Sequence, residues 1–273
     1  MQKIKLIAID LDGTLLYQNK IASQEEVKYL IDLQKKGYSV IIVTGRNYQS
    51  CYKFAKKLKI NKNFNYLICE NGAYVTRANK FLPDLIDFIN KKDCKDLYEY
   101  FSKLEIPFFG QKCMSPKKLF CSEPSKISKK SYKYKTYIIK KSFDFSGMTF
   151  IGTHFKIDKD YETIAKEIET NFSSRLKISH SFGDNDGLIY YMFSSKNTDK
   201  GSKTLKLINS LGFENEQILY FGDGDNDASA LELFENSVAM GNAQESVKQK
   251  AKYITKKCTE EGIMNFLKTN NIK

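Results

Sequence analysis

Apolar positions along this chain fall into short continuous runs separated by segments of helical spacing. "KIKLIAI" (3–9) is a β-branched run that stops at "DLDGT", which predicts a strand followed by a turn. In "SQEEVKYLIDLQKKG" (23–37), Val27, Leu30, Ile31 and Gln34 recur at helical spacing. Ser23 with Glu26 reads as a capping box, and Gly37 closes the segment. A second buried strand, "YSVIIVTG" (38–45), follows at once, and the helix after it carries Tyr52, Ala55 and Leu58. This β-α-β-α order implies a parallel sheet with right-handed crossovers. "NYLICENGAYVTR" (65–77) breaks the rhythm, because two strand-like runs flank Asn71-Gly72, the strongest short hairpin signal.

Beyond Pro83 the pattern changes. Residues 84–104 read as a helix, followed by strands near 106–113, 132–140 and 149–157, a helix near 160–171, and strands near 175–182 and 187–193. From Lys200 the earlier rhythm resumes, with helices over 201–211, 228–235, 243–251 and 260–268 and strands over 217–222 and 237–241. The pattern predicts one α/β domain, residues 1–82 with 194–273, split by an inserted α+β segment over 83–193. Neither an internal repeat nor a long low-complexity linker interrupts it.

Composition narrows the class. Of the 273 residues, 41% are hydrophobic and 28% charged, as in a water-soluble globular protein. No apolar run approaches the roughly 18 residues of a membrane helix. Asp10 cuts the N-terminal apolar run too early for a signal peptide, so a cytoplasmic protein without a membrane partner is expected. The six cysteines are scattered without a C-x-x-C pair, which speaks for reduced structural thiols rather than a zinc site. His154 and His180 are the only histidines, too few for a histidine-based relay or metal cage. The net charge of +12 concentrates in residues 112–141, where ten lysines face Glu123 alone. That stretch reads either as a solvated face or as a funnel for anions, and its "SYKYKTYIIK" fits a half-exposed strand better than a base-stacking surface.

The candidate chemistry lies at strand ends. "YFGDGDNDASAL" (220–231) packs Asp223, Asp225 and Asp227 into five positions, where mutual repulsion calls for a cation. An EF-hand fails because Ala228 and Phe234 stand where glycine and glutamate are required, and a strand precedes the loop. "KGSKT" (200–204) lacks the features of a phosphate-binding Walker loop, and "GDG" lacks a dinucleotide fingerprint. Ligands of parallel α/β sheets bind at the carboxyl ends of strands. Asp10–Thr14, Thr44–Arg46, the Lys200 region and Asp223–Asp227 all lie at such ends or before a helix. Converging, they would supply paired carboxylates, a hydroxyl, a lysine and an acidic cluster, an inventory suited to Mg²⁺ and a phosphoryl group.

"DLDGTLL" (10–16), "IIVTGR" (41–46), "DKG" (199–201) and "FGDGDND" (221–227) resemble the four ordered motifs of the haloacid dehalogenase superfamily. "NGA" (71–73), "AMGNA" (239–243) and "EEGI" (260–263) are similar to its Cof-type sugar-phosphatase branch. The resemblance implies a Rossmann-like parallel-sheet core with an inserted α+β cap and a Mg²⁺-dependent phosphatase of small metabolites. Sugar phosphates, nucleotides, flavin mononucleotide and pyridoxal phosphate are the implied substrate range. By the same resemblance Asp10 would be the nucleophile and Asp12 the general acid and base. Thr44, Gly45, Arg46, Lys200 and Asn226 would contact phosphate or substrate. Asp10, the Asp12 carbonyl and Asp223 would bind Mg²⁺, with Asp227 supporting the metal site and Asp225 pointing outward. Lys196 competes with Lys200, and Lys117 and Lys118 are candidates for specificity. A phosphomutase of the same superfamily is the nearest alternative, and a lysine-rich nucleic-acid-binding protein with a vestigial core the more distant one. The chain would act as a monomer or homodimer.

Overall fold

The computed structural model describes the chain except residues 1–2, 63, 81, 114–117, 124–134, 141 and 183–186. It divides into two compact units, Met1–Leu85 with Asp199–Lys273, and Ile86–Thr198. The chain opens with β1 (Leu6–Ile9), a small hairpin of β2 (Leu16–Tyr17) and β3 (Lys20–Ile21), α1 (Gln24–Lys35), β4 (Ser39–Val43) and α2 (Tyr48–Lys57). Then come β5 (Tyr66–Cys69), β6 (Tyr74–Arg77) and β7 (Leu85–Ile86). The second unit holds α3 (Lys91–Lys103), β8 (Phe108–Lys112), β9 (Lys118–Cys121), β10 (Lys135–Ile138), β11 (Met148–Lys156), α4 (Tyr161–Phe172), β12 (Leu176–Phe182) and β13 (Leu188–Ser195). The chain returns through α5 (Lys200–Ser210), β14 (Ile218–Gly222), α6 (Ala228–Leu233), β15 (Asn236–Ala239), α7 (Glu245–Lys248), β16 (Tyr253–Ile254) and α8 (Gly262–Thr269).

The first unit is built on a sheet of order β16-β15-β14-β1-β4-β5-β6-β7. It is parallel from β16 to β5, and β6 runs antiparallel to β5. Strands buried on both faces need apolar residues at successive positions, which is why LIAI and ILYFG carry no alternation. On one face Leu207 and Ile208 of α5 and Ala230 and Leu231 of α6 pack on Leu6, Ala8, Ile41 and Tyr220. Phe221, adjacent to Tyr220 and so on the opposite face, meets Phe266 of α8 edge-on at 5.7 Å. The second unit is a separate layer with sheet order β10-β9-β8-β11-β13-β12. Leu97 and Phe101 of α3 and Ile168 and Phe172 of α4 pack on it against Phe108, Ile151 and Phe193.

The α/β class and the βα rhythm follow the sequence pattern, and several details depart from it. The helix expected over 84–104 begins only at Lys91, capped by the Asn90 side chain accepting from Lys92 N at 2.8 Å. Asp84 N instead donates to Val75 O at 2.8 Å, so this backbone joins the sheet edge rather than a helix. The helix expected over 243–251 shrinks to Glu245–Lys248, because Val247 is its only buried residue and no apolar stripe exists to extend it. The short strands β9 and β16 escaped the pattern entirely. The capping box at Ser23 is half formed. Ser23 Oγ accepts from Glu26 N at 3.2 Å, while the Glu26 carboxylate turns to Met264 N at 2.9 Å. The second unit ends after Thr198, because β13 keeps pairing with β12 as far as Ser195.

All six cysteines are buried. His154 is buried and His180 exposed. Within the lysine-rich stretch, Lys117, Lys126, Lys129, Lys130, Lys133 and Lys141 lie outside the described residues. Lys118 is exposed and sits 5.2 Å above the centre of the Tyr137 ring. Among the described residues no helix is long and apolar enough to cross a membrane.

Candidate active site

Strand order reverses at β1. From there the chain proceeds to β4 and β5 on one side, and later to β14, β15 and β16 on the other. Such a reversal opens a crevice at the carboxyl ends of the central strands. Ile9 pairs with both Phe221 and Ile42, so the residues that follow these strands emerge together at that crevice. Asp10 is fixed there by its own N–H, which donates to Phe221 O at 3.0 Å, and Thr44 likewise donates to Ile68 O at 2.8 Å.

Lys200 opens α5 behind an Asp199 cap whose carboxylate accepts from Ser202 N at 2.8 Å. Its side chain is wholly buried, which a lysine tolerates only when paired. The ammonium donates to Asp10 Oδ1 and to Asp227 Oδ1, both at 2.7 Å. One of its three N–H groups therefore remains for another acceptor. Asp227 is more heavily engaged. Its Oδ1 also accepts from the Tyr220 hydroxyl at 2.7 Å, and its Oδ2 from Asp223 N at 3.1 Å and Gly224 N at 3.0 Å. Four donors occupy a carboxylate that offers about four lone-pair sites, so Asp227 is saturated by protein groups.

Asp223 is held from the opposite side. Thr14 Oγ1 donates to its Oδ1 at 2.7 Å, and Asn242 Nδ2 reaches its Oδ2 at 3.3 Å while donating to Gly13 O at 2.8 Å. Gly13 has φ +82°, and a Cβ there would lie 1.9 Å from Asp223 Oδ2. Both the backbone conformation and the close approach demand glycine. Oxygens of Asp10, Asp223 and Asp227 fall within 4.8 Å of one another.

The remaining motif residues form a second group. Arg46 grips Asp12 through two hydrogen bonds, one from Nε at 2.6 Å and one from Nη2, which also donates to Asn19 Oδ1 at 2.7 Å. Thr44 is buried, and its Oγ1 accepts from Arg46 N at 3.2 Å. Asn226 donates to Asn71 Oδ1 at 2.9 Å. A Cβ on Gly45 would lie 2.9 Å from that same Asn71 oxygen, so the loop keeps glycine where the amide pair passes. Asn71 thus serves both as the tip of the β5–β6 hairpin, with φ 55°, and as a partner of Asn226. Asp225 is exposed, as expected. Lys196 belongs to the second unit and donates to Ser173 O at 2.5 Å.

Electrostatics follow from the crowding. Burial is the largest influence on Asp10 and pushes its carboxyl up, Lys200 pulls it down, and the Asp227 and Asp223 charges push it up again. Asp223 rises to about 6, mainly through burial, with the Thr14 hydrogen bond opposing. Burial works against the Lys200 charge, yet Asp10 and Asp227 together hold its ammonium above the ordinary lysine range. Neighbouring carboxylates that are both pushed up, with oxygens converging, suit a hard divalent cation, which favours their ionised forms. The donor set present therefore fits such an ion.

Sequence reasoning missed Tyr220 as part of this site, whereas Gly241-Asn242 reads from the sequence as a loop beneath the metal site, where Asn242 is found. Tyr220 left a usable signal, since a buried tyrosine hydroxyl needs a partner and the aspartates lie a few residues ahead. For Asn242 only the partner was hidden, because its reach to Gly13 O spans most of the chain.

The sequence profile of haloacid dehalogenase-like hydrolases matches residues 7–267. The 5-amino-6-(5-phospho-D-ribitylamino)uracil phosphatase of Bacillus subtilis is 27% identical over 266 residues, covering 97% of this chain and 95% of that protein. The pyridoxal phosphate phosphatase of Escherichia coli is 24% identical over 285 residues, covering 96% and 97%. Among solved structures, a haloacid dehalogenase-like hydrolase from Bacteroides thetaiotaomicron superposes with a TM-score of 0.80 at 22% identity, covering 98% of this chain and all of the other.

Proposed function

Because the chain belongs to the haloacid dehalogenase-like hydrolase family, we propose that it is a Mg²⁺-dependent phosphatase of small phosphorylated metabolites. The observation that carries this reading is the buried Lys200 ammonium, 2.7 Å from both Asp10 and Asp227, beside Asp223 at the carboxyl end of the sheet. A phosphate dianion approaching an aspartate nucleophile needs positive charge at that point, and Lys200 has one N–H left to give.

In this reading an Asp10 carboxylate oxygen attacks phosphorus, and the bond from phosphorus to the substrate's alcohol oxygen breaks. Asp12, carrying a proton, delivers it to the departing alkoxide, so the free alcohol leaves and an aspartyl phosphate remains. Water then attacks the same phosphorus, Asp12 takes the water's proton, and the bond to Asp10 breaks to release inorganic phosphate. The paired Arg46 hydrogen bonds hold Asp12 as a carboxylate, so one of them opens when Asp12 takes up the proton it delivers. Thr44 and the backbone at Gly45 flank the phosphoryl position, and Asn226 with Asn71 borders it. Asp10, Asp223 and the Asp12 carbonyl would hold Mg²⁺, while Asp227 positions Lys200 and the 223–224 backbone. A bound Mg²⁺ would neutralise phosphoryl charge and orient the group.

The relatives act on a phosphorylated ribitylaminouracil and on pyridoxal phosphate, and we extend the class of small phosphorylated metabolite to this chain. The inserted unit is proposed to select among such substrates. Six cysteines scattered without a C-x-x-C pair suit a reducing, cytoplasmic compartment. Phosphate release across a metabolite panel, with Mg²⁺, with EDTA and with Asp10→Asn, tests the reading. Mg²⁺-dependent release that vanishes in Asp10→Asn supports it. Release that survives the substitution overturns the nucleophile, and no release from any metabolite overturns the function.

A further inference from the structure

Tyr220 lies in the middle of β14, wholly buried, with its ring stacked on Phe234 at 5.7 Å and 14°. A phenylalanine would fill that space equally well without burying a hydroxyl, whose desolvation is unfavourable unless it is hydrogen-bonded. Among the described residues the hydroxyl has a single hydrogen-bond partner. It donates to Asp227 Oδ1 at 2.7 Å, the same oxygen that accepts from Lys200. Burial, reinforced by the Asp227 charge, holds the phenol well above its ordinary pKa, so it stays a donor.

Lys200 is shared between Asp227 and Asp10 at equal distances. A hydrogen bond into Asp227 Oδ1 draws electron density from that oxygen and weakens its competing hold on the ammonium. We propose that Tyr220 is a positioning residue acting through Asp227, its hydroxyl setting how far Lys200 is released from Asp227 towards Asp10 and the phosphoryl group. Tyr220 immediately precedes the FGDGDND motif and is not part of it. Its kinetic consequence rests on the phosphatase reading above, whereas its effect on Lys200 does not.

The test is Tyr220→Phe, which keeps the ring and removes only the hydroxyl. With p-nitrophenyl phosphate and saturating Mg²⁺, kcat falls about tenfold while KM is unchanged. In an Asp227→Asn background the same substitution changes kcat less than about twofold, because the path through Asp227 is already broken. The Lys200 Nζ resonance, assigned by its loss in Lys200→Met and read by ¹⁵N NMR on the full chain, shifts in Tyr220→Phe. A kcat equal to wild type, a full loss persisting in the Asp227→Asn background, or an unmoved Lys200 resonance each overturns the proposal. Should the wild type release no phosphate, the phosphatase reading falls, and the Lys200 resonance still decides the role of Tyr220.

Discussion

Glu26 offers a quantitative test of how burial shapes this fold. Its side chain is wholly buried where α1 meets α8, with Oε1 accepting from Met264 N at 2.9 Å and Oε2 without a hydrogen-bond partner among the described residues. Burial pushes its pKa from the ordinary 4.5 up to about 7, the backbone N–H groups of Met264 and Ile263 oppose the rise, and the Glu261 charge adds to it. The folded state therefore keeps a proton that the unfolded state releases near pH 4.5. Its contribution to stability is fully present below pH 4.5 and is lost as pH rises through about 7. At 1.36 kcal/mol per pH unit, the separation from 4.5 to about 7 amounts to about 3 kcal/mol. Glu26→Gln keeps the carbonyl acceptor and removes the titration. Its amide nitrogen, left unpartnered, costs about 1–3 kcal/mol at every pH. Urea unfolding of both proteins from pH 5 to pH 9 measures the outcome. The wild-type advantage at pH 5 should shrink by about 3 kcal/mol by pH 9 and vanish or reverse. A difference between the two proteins that stays flat across this range would refute the argument that burial controls Glu26.

Three further outcomes follow from the geometry. Gly13→Ala sets a Cβ 1.9 Å from Asp223 Oδ2 at φ +82°, so thermal unfolding should show a loss of about 1–3 kcal/mol and Mg²⁺ titration of activity a raised half-saturation. Lys200→Met leaves Asp10 and Asp227 buried without their cation, which should abolish phosphate release and destabilise the first unit by about 3–5 kcal/mol in urea. Since all six cysteines are buried, Ellman's reagent should label none rapidly in the native protein and six after unfolding; fast labelling of native protein would contradict their burial.

The legible parts of this protein are those whose cause lies within a few residues. LIAI and ILYFG announce buried strands because every position is apolar. Gly13 after Asp12 announces a sharp turn, and Asn71-Gly72 a hairpin. Where the competing influence is distant, local reading failed. Glu26 looked like half of a capping box until α8 presented Met264 N to it. Residues 84–90 carried a helical pattern until β6 took their first N–H. In the four-residue α7 too little apolar surface was available to hold the helix its sequence suggested.

Strand order along the chain, the polar residues at the strand ends, and the supply of carboxylates, lysine and hydroxyl are all written in the sequence. Which of these meet depends on the assembled fold. Lys200 rather than Lys196 reaches Asp10, a partner 190 positions away, because β14 lies beside β1 in the sheet and α5 packs against it. Asp227 turns inward to four protein donors while Asp225 faces solvent, although the two lie in one acidic cluster. Spacing constrains neighbours along the chain, whereas these contacts depend on strand order and burial, which arise only when the whole sheet assembles.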